Sequence, residues 1–234
     1  EWIIFFWATV SIGAIACGLN GWWKGTEAMK AIDVANPQVV IADKKRFERI
    51  ADLIQHPAVI VEELNLRDYD HELDSFIRVD EDECACLLYT SGTTGTPKGV
   101  MTSHRSMIAN STLSMLQGAA VSQDSSAHGI DWSENTPTSL LTSPLFHVSG
   151  LSAGVVTSLF AGSTTLVYEG RFLPEKVLEL ITKYNVTSWG GAVPTALKRV
   201  LDAAETKNLY LPSVLVVGGG GAPMPPKLIE RTKD

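Results

Sequence analysis

Residues 89–100 combine glycines, hydroxyl side chains and a lysine in a pattern suited to binding phosphate. Gly92, Gly95 and Gly99 allow positive φ angles and let an anion approach the backbone closely. Lys98 adds a positive charge, which lysine commonly directs at phosphate. Hydroxyl donors, which suit phosphate oxygens beside backbone N–H groups, come from Ser91, Thr93, Thr94 and Thr96.

Two other interpretations of this loop are weaker. A flexible linker would not be flanked on both sides by apolar β-forming residues, and Pro97 stiffens the segment. A Walker A loop requires Gly-Lys-Ser/Thr leading directly into a helix. Here Lys98 is followed by Gly-Val-Met-Thr, a run over 99–102 that is interpreted as a strand, so we expect the loop to join two strands.

The stretch from Tyr89 to Val100, Tyr-Thr-Ser-Gly-Thr-Thr-Gly-Thr-Pro-Lys-Gly-Val, resembles the phosphate loop of the adenylate-forming superfamily. That superfamily includes acyl-CoA synthetases, luciferases and peptide-synthetase adenylation domains. The resemblance implies that the loop holds the β- and γ-phosphates of ATP while a carboxylate attacks the α-phosphate, with Thr94 and Lys98 as catalytic candidates. The implied nucleotide-binding residues are Thr90, Ser91, Gly92, Thr93, Thr94, Gly95, Thr96, Pro97 and Lys98.

A second motif, Pro-Leu-Phe-His-Val-Ser-Gly, runs from Pro144 to Gly150. On the bare sequence, a histidine beside a phenylalanine is more often a packing or capping residue than a functional one. The motif also resembles the next motif of the same superfamily, where an aromatic-His pair borders the acyl site and helps to position the carboxylate. That resemblance makes Phe146 and His147 substrate-binding candidates and His147 a third catalytic candidate.

Two glycine-rich turns follow predicted strands further along the chain. The first contains Gly190, Gly191 and Val193, where the resemblance places the wall of the acyl pocket; a tight turn without a functional role is the alternative. The second resembles the adenine-contacting loop of the superfamily. It would lay Gly220, Gly221, Ala222 and Pro223 flat against the base. A dinucleotide-binding fingerprint is disfavoured there because its third glycine is absent.

The composition fits a globular protein of 234 residues, with 45% hydrophobic and 19% charged residues. A formal net charge of −7 argues against a nucleic-acid partner. Three cysteines without framework spacing indicate free thiols and a reducing, cytoplasmic location. Five scattered histidines show no metal site, and the acidic stretch 62–83 is interpreted as a solvated connection rather than a carboxylate metal site.

Helical and strand patterns alternate along the chain, which predicts βαβ units and a mainly parallel sheet. We expect a buried core helix over 2–16, although the uncharged segment 2–23 could also suggest a membrane span.

Ser103 is a plausible cap for a helix that Gly118 ends, followed by an exposed loop over 119–138. The other predicted helices are 26–35, 44–54, 151–160 and those that open at Pro174 and Pro194, the first burying Tyr184. The other predicted strands are 39–42, 58–61, 139–142, 164–168, 186–189 and 214–217.

Together these features predict an α/β fold with mainly parallel sheets and flanking helices, part of the large N-terminal domain of an adenylate-forming enzyme. We expect residues 1–234 to be an incomplete AMP-binding domain that lacks the C-terminal domain and is inactive alone. The implied reaction is ATP-dependent activation of a carboxylic, most nearly fatty, acid to acyl-AMP, then thioester formation with CoA. The resemblance also implies Mg²⁺, with its ligand outside these residues. Alternatives are an acyl-AMP ligase that feeds a carrier protein, a non-catalytic nucleotide-binding module and a protein anchored in a membrane. Peripheral membrane association and oligomeric state are left open.

Overall fold

The computed structural model of the chain describes residues 1–65, 77–90, 97–127 and 137–232. The chain divides into two compact units, Glu1–Met107 and Ile108–Asp234. Each unit has its own sheets, and each is described separately below.

The first unit contains a three-stranded sheet and a two-stranded sheet. In the larger one, β1 (Ala16–Gly18) pairs in parallel with β4 (Cys84–Thr90), and β4 pairs antiparallel with β5 (Lys98–Ser103). The smaller sheet pairs β2 (Val40–Ala42) with β3 (Ala58–Ile60) in parallel. The prediction that the glycine-rich loop joins two strands is therefore confirmed, because β4 ends and β5 begins on either side of it.

The first helix of this unit is shorter than the sequence pattern predicts. Helix α1 (Trp2–Ser11) ends five residues before Ala16, because Gly13 adopts a positive φ of 71° and the chain then enters β1. Phe6 and Val10 are its buried residues, so the expected core helix buries one side only. Among the described residues, no helix has the length and apolar character that crossing a membrane requires.

The other helices of the first unit are α2 (Gly25–Ala35) and α3 (Lys44–Phe47). The helix predicted over 44–54 is wrong beyond Phe47, where hydrogen-bonded turns replace it, such as the bond from Ile50 N–H to Phe47 C=O. Ile50 is nevertheless buried and packs with Ile32 and Val40, so the apolar spacing marked the core correctly even though the helix ends early.

Helix α4 (His104–Ala127) corrects the prediction that Gly118 ends a helix at 117. Ser103 caps its first turn as expected, since Ser103 Oγ accepts a hydrogen bond from the Ser106 N–H at 3.2 Å. The helix then continues through Gly118, so residues 119–127 of the predicted loop are helical. An isolated glycine costs a helix only about 1 kcal/mol relative to alanine, too little to stop it by itself. Residues 128–136 of that loop lie outside the described residues.

The second unit is built on a four-stranded parallel sheet in the order β7-β6-β8-β9. Its strands are β6 (Thr138–Leu141), β7 (Thr164–Val167), β8 (Ser188–Ala192) and β9 (Val216–Gly219). The last two begin two residues later than predicted and extend into their glycines. The expected α/β class with mainly parallel sheets is confirmed.

The helices that cover this sheet begin where proline predicts. Helix α6 (Pro174–Tyr184) and helix α7 (Pro194–Thr206) both carry proline at their first position, where the missing N–H has no partner to lose. Their apolar faces pack around Leu140 and Trp189. Tyr184, predicted to be buried, is 45% exposed because it lies in the last turn of α6.

The helix predicted over 151–160 begins earlier and is of two kinds. Residues Ser149–Val156 form a π-helix, which continues into the short helix α5 (Thr157–Phe160). Gly162, with φ of 65°, follows it, as expected for a glycine that ends a helix. The last helix, α8 (Pro226–Glu230), buries Leu228 against the core of this unit.

Candidate active site

Three of the predicted site segments meet at the carboxyl edge of the four-stranded sheet. The segment with Phe146 and His147 follows β6, and the segment 220–223 follows β9. Gly190 and Gly191 lie in the last three residues of β8, and Val193 comes directly after that strand. Because these strands are parallel, their carboxyl ends lie at one edge, where α/β sheets commonly bind ligands. The fold therefore brings the predicted acyl and adenine segments together.

Side-chain hydrogen bonds hold β6 and β8 in register at this edge. The buried Trp189 donates its Nε1–H to Thr142 Oγ1 at 2.9 Å, and Ser143 Oγ donates to the Gly191 carbonyl at 3.3 Å. Further back, Thr187 Oγ1 bonds to the Thr138 carbonyl at 3.1 Å. These contacts fix the starting points of the two segments that carry the acyl-site candidates.

His147 lies in the turn that connects β6 to the π-helix, and its side chain is exposed. Its backbone N–H bonds to the Pro144 carbonyl at 3.1 Å, and its own carbonyl accepts from the N–H groups of Gly150 and Leu151. Its ring atom Nδ1 lies 2.9 Å from Ser149 Oγ and 3.3 Å from the Ser149 backbone nitrogen. His147 is thus both a capping residue, the alternative considered from sequence, and a side chain presented at the sheet edge.

Two glycines bring the π-helix close to the end of β6. A Cβ at Gly150 would lie 2.0 Å from the Pro144 carbonyl oxygen, and one at Gly154 would lie 2.3 Å from Leu141 Cδ2. A larger residue at Gly150 would force the backbone apart. The turn that carries His147 is therefore fixed by close backbone packing.

The neighbouring glycines of β8 differ in their surroundings. Gly191 has φ of 69°, and a Cβ there would lie 2.8 Å from Ser143 Oγ, so the backbone itself requires glycine. A Cβ at Gly190 would meet nothing within 4 Å. Gly190 therefore leaves open space at the edge of the sheet, while Gly191 makes the turn.

The segment after β9 is also open to solvent. Gly220, Gly221, Ala222 and Pro223 are all exposed, and a Cβ at Gly220 would meet nothing within 4 Å. Gly221 has φ of 78°, and its nearest side-chain neighbour is Val193 Cγ1, at 3.8 Å from an added Cβ. The predicted adenine segment therefore lies near Val193, the residue that precedes α7. The predicted contact of this segment with adenine stays a prediction.

The remaining nucleotide-binding candidates lie in the first unit, of which the structure describes Thr90, Pro97 and Lys98. Thr90 and Lys98 face each other across the β4–β5 pair, with Thr90 Oγ1 3.5 Å from the Lys98 carbonyl. Lys98 is exposed, and no carboxylate among the described residues of this unit forms an ion pair with it. The six candidates between them, Ser91, Gly92, Thr93, Thr94, Gly95 and Thr96, lie outside the described residues.

Tyr89 anchors the end of β4, a role that the sequence analysis missed. Its hydroxyl donates to the Ala31 carbonyl of α2 at 2.5 Å and accepts from the Cys17 thiol of β1 at 3.5 Å. Its ring packs edge-on against Trp23, with centroids 5.5 Å apart. Burial raises the pKa of both Tyr89 and Cys17, so these groups remain neutral. Tyr89 pairs with Gly99 of β5, the residue after Lys98, so its contacts also hold the backbone beside Lys98 in place.

Metal binding has no support among the residues that the structure describes. No group of three or more His, Cys, Asp or Glu side chains there lies close enough to hold an ion. The three cysteines, Cys17, Cys84 and Cys86, are free thiols. The Mg²⁺ ligand that the resemblance implies is expected outside residues 1–234 and stays a prediction.

Ser143 and Ser149 are two polar residues of this edge that sequence reasoning did not single out. Ser149 stands two positions after His147, a spacing at which local side-chain and backbone bonds are common. That spacing was the available signal for Ser149. Ser143 had none, because its partner Gly191 is 48 positions away.

Curated relatives that match the chain are named as CoA ligases. Peroxisomal OPC-8:0-CoA ligase 1 of Arabidopsis thaliana is 30% identical over 95% of this chain and 41% of its own length. A 4-coumarate–CoA ligase of Pinus taeda is 26% identical over 99% of this chain and 43% of its own length. The chain therefore spans about two fifths of the length of these relatives.

Solved structures of adenylate-forming enzymes share the fold. The O-succinylbenzoate CoA synthetase of Bacillus subtilis, in complex with AMP, superposes with a TM-score of 0.72 at 28% identity. That match covers 99% of this chain and 54% of the other. The inhibitor-bound N-terminal domain of FACL13 from Mycobacterium tuberculosis gives a TM-score of 0.77 at 26% identity, over 97% of this chain and 56% of the other.

The family model of the AMP-binding enzymes matches residues 1–234. This match covers the glycine-rich loop, the Phe146-His147 segment and both later glycine turns. The chain belongs to the AMP-binding enzyme family.

Proposed function

We propose that the protein activates a carboxylic acid with ATP and then transfers the acyl group to the thiol of CoA. In the first step a carboxylate oxygen attacks the α-phosphorus, the bond to the β-phosphate oxygen breaks, and pyrophosphate leaves. In the second step the thiol sulfur attacks the acyl carbon, the bond to AMP breaks, and the thiol proton is released. CoA ligases among the relatives support this reaction class.

The observation that carries the proposal is the meeting of three segments at one sheet edge. His147 offers a ring nitrogen there, while Gly190 and Gly220 leave open space where other residues would place side chains. A hydrogen-bond donor beside two open glycine surfaces suits a carboxylate next to a planar base. We assign the acid to Phe146, His147, Gly190, Gly191 and Val193, and the base to the segment 220–223.

Lys98 is assigned to the leaving pyrophosphate, together with the glycine-rich loop that precedes it. Its charge is not neutralised by a described carboxylate of the same unit, so it remains available to an anion. In reactions of this type, positioning and charge stabilisation supply most of the rate.

We expect Lys98→Met to lower the exchange rate by about 10²-fold or more, as for other preorganised groups that stabilise developing charge. Lys45→Met, which removes an exposed positive charge elsewhere in the unit, is the matched control.

The identity of the acid substrate is a more specific part of the proposal. The relatives include ligases named for 4-coumarate and OPC-8:0, and a solved neighbour is named for O-succinylbenzoate. These names do not single out a fatty acid. We retain an apolar acid as the substrate class, with straight-chain acids tested beside 4-coumarate and O-succinylbenzoate. The free cysteines agree with the cytoplasmic location that we propose.

The test is ATP–pyrophosphate exchange by the full native polypeptide over this panel of acids. Acid-dependent exchange is expected, followed by CoA thioester formation on addition of CoA. Transfer to a carrier protein and not to CoA would make the protein an acyl-AMP ligase instead. Nucleotide binding without exchange for any acid would contradict the proposal.

A substitution at His147 tests the assignment of the acid. We expect His147→Ala to lower kcat/KM for the acid about ten- to a hundredfold, the range for losing a hydrogen bond to a charged group. The KM for ATP should change by less than about twofold, because the base is assigned to a different segment. Steady-state kinetics with each substrate varied would measure both constants. Unchanged acid kinetics would contradict the role given to His147.

A further inference from the structure

The side chain of His147 is held from one side by a single residue. Ser149 directs two groups at the ring atom Nδ1: its hydroxyl oxygen at 2.9 Å and its backbone nitrogen at 3.3 Å. Both contacts come from the turn that begins the π-helix. Nδ1 is therefore engaged within the protein, while the exposed ring leaves Nε2 as the other polar atom.

The backbone contact determines which way the hydrogen bond runs. A backbone N–H can only donate, so Nδ1 must be the acceptor and carry no proton. In a neutral imidazole the proton is then on Nε2. A proton on Nδ1 would be directed at the Ser149 N–H, so this turn favours one tautomer. The hydroxyl adds a second donor to the same lone pair.

We propose that Ser149 is a positioning residue that keeps His147 in the tautomer whose Nε2–H donates a hydrogen bond to a carboxylate oxygen of the acid. The inference rests on the proposed function for its ligand, since an acid must bind at this edge. Nothing in the family match or in the named relatives assigns a role to Ser149. Ser149 fixes one ring nitrogen of His147 as a hydrogen-bond acceptor, and the other nitrogen then carries the proton.

The surrounding backbone keeps Ser149 in place. It is the first residue of the π-helix, where an N–H has no acceptor inside the helix and is free to bond elsewhere. The carbonyl of His147 accepts from the N–H groups of Gly150 and Leu151, which closes the turn between His147 and Ser149. Gly150 in turn packs its Cα against the Pro144 carbonyl, where a Cβ would lie at 2.0 Å. The two residues therefore cannot separate without opening the turn.

The first experiment identifies the tautomer directly. Histidine-selective ¹⁵N labelling of the native polypeptide and long-range ¹H–¹⁵N correlation would distinguish the two neutral forms. The spectra are recorded near pH 8. Loss of the signal in His147→Gln assigns it. We expect the Nε2–H form in the unsubstituted protein and a larger share of the Nδ1–H form in Ser149→Ala, because only the longer backbone contact of 3.3 Å then holds Nδ1 as an acceptor while the hydroxyl contact of 2.9 Å is lost. An Nδ1–H form in the unsubstituted protein would overturn the inference.

The second experiment asks whether the tautomer matters for the acid. Ser149→Ala keeps the backbone N–H but removes the hydroxyl, so kcat/KM for the acid should fall about three- to tenfold, the scale of one hydrogen bond. The KM for ATP should not change, and Ser149→Thr should restore the acid constant. Ser163→Ala, which removes another serine hydroxyl bonded at 3.3 Å to a backbone carbonyl of this unit, is the control.

Two replacements of His147 itself separate its nitrogens. The amide nitrogen of glutamine can reach near the position of Nε2, whereas that of asparagine lies near Nδ1. We expect His147→Gln to retain more acid-dependent exchange than His147→Asn. Asparagine equal to or better than glutamine would overturn the inference, as would Ser149→Ala with both tautomer and kinetics unchanged.

These outcomes separate the inference from the function on which it rests. An Nδ1–H form rejects the role of Ser149 even when exchange is strong. Absence of exchange with every acid, beside an Nε2–H form that Ser149→Ala alters, rejects the proposed reaction and the carboxylate as partner. The tautomer assignment then stands by itself.

Discussion

Gly190 and Gly191 are neighbours in β8 that provide a matched pair of substitutions. Gly191 has a positive φ and little room beside Ser143, whereas Gly190 has open space. We expect Gly191→Ala to lower the free energy of unfolding by about 1–2 kcal/mol, the cost of the left-handed region for a residue with a Cβ. Gly190→Ala should change it by less than about 0.5 kcal/mol. Urea denaturation of both variants would measure the difference, and equal losses would contradict it.

The open space at Gly190 also allows a test of whether this position limits the length of the acid. If it receives part of the acid, Gly190→Leu should raise the KM for longer acids more than for short ones while folding remains intact. A series of acids of increasing length, assayed by pyrophosphate exchange, measures this. Val39→Leu is a control that adds a methylene at an exposed apolar position outside the site. A uniform effect on all acids would argue against Gly190 as part of the acyl wall.

Cys86 makes the stability of the first unit sensitive to alkaline pH. Burial raises the pKa of its thiol from 9.0 to about 11. The unfolded chain therefore loses this proton first as pH rises, so the stabilisation is complete below about pH 9 and declines towards pH 11. Cys17 and Tyr89, whose pKa values burial also raises, act in the same direction.

The expected result is a fall in the free energy of unfolding between about pH 9 and pH 11 that is shallower in Cys86→Ala. Urea titrations at several pH values would measure it, with Cys84→Ala as the cysteine control. Identical slopes in the unsubstituted protein and in Cys86→Ala would show that this thiol does not carry the effect.

At the candidate site, the sequence motifs singled out candidate residues but did not reveal the residues to which they are hydrogen-bonded. The Phe-His motif singled out His147 because a short motif is local, and the structure places this residue at the sheet edge; its role there stays a prediction. Ser149 was quoted within the motif but given no role, since its bond to Nδ1 depends on the turn geometry. Ser143 and Gly191 are joined only by the parallel pairing of β6 and β8, which no local pattern reveals.

Helix α4 tests how strongly one glycine weakens a long helix. Gly118 lies within α4, is exposed, and a Cβ there would meet nothing within 4 Å. Alanine restricts the unfolded chain and adds no clash, so Gly118→Ala should raise the free energy of unfolding by about 0.4–1 kcal/mol. Urea denaturation would measure it. Gly162→Ala, at a positive φ of 65°, should be destabilising in the same assay. Loss of stability in Gly118→Ala would indicate that the glycine is needed for a contact or a bend.

Elements with a strong local signal were predicted well, and elements without one were not. Helices α6 and α7 begin at Pro174 and Pro194 as expected, because proline restricts the first turn directly. Strands β8 and β9 extend into glycines, whose pairing comes from neighbouring strands and not from their own side chains. The π-helix was predicted as an ordinary helix because a short apolar run contains no period that separates the two forms.

Across the whole chain, the fold class and the order of the site segments followed from sequence, but their assembly did not. The alternation of helices and strands predicted the parallel sheet, since crossover connections require that alternation. The strand order β7-β6-β8-β9, which brings segments near residues 147, 190 and 220 to one edge, required the structure. The interior of the glycine-rich loop, 91–96, lies outside the described residues, so its predicted contacts stay predictions.

The chain spans about two fifths of the length of its curated relatives. The exchange activity of residues 1–234 can therefore be compared with that of a longer polypeptide. We expect residues 1–234 to bind nucleotide weakly through the segments already present. We expect their exchange rate to be more than tenfold below that of the full native polypeptide, because the resemblance implies a Mg²⁺ ligand and a C-terminal domain outside these residues. Losing a preorganised group commonly costs about 10²–10³ in rate. Rates within about tenfold of each other would contradict this expectation.

The parallel sheet of the second unit has a consequence for how this enzyme family can diversify. The segments near residues 147 and 220 are encoded far apart, and each lies beyond the last paired residue of its strand, whereas Gly190 lies within β8 and pairs with Leu141. Mutations or recombination can therefore alter one segment at a time while the strands continue to fold. Under the proposed function, exchanging residues near 147 with those of a relative should change acid preference and leave nucleotide use intact.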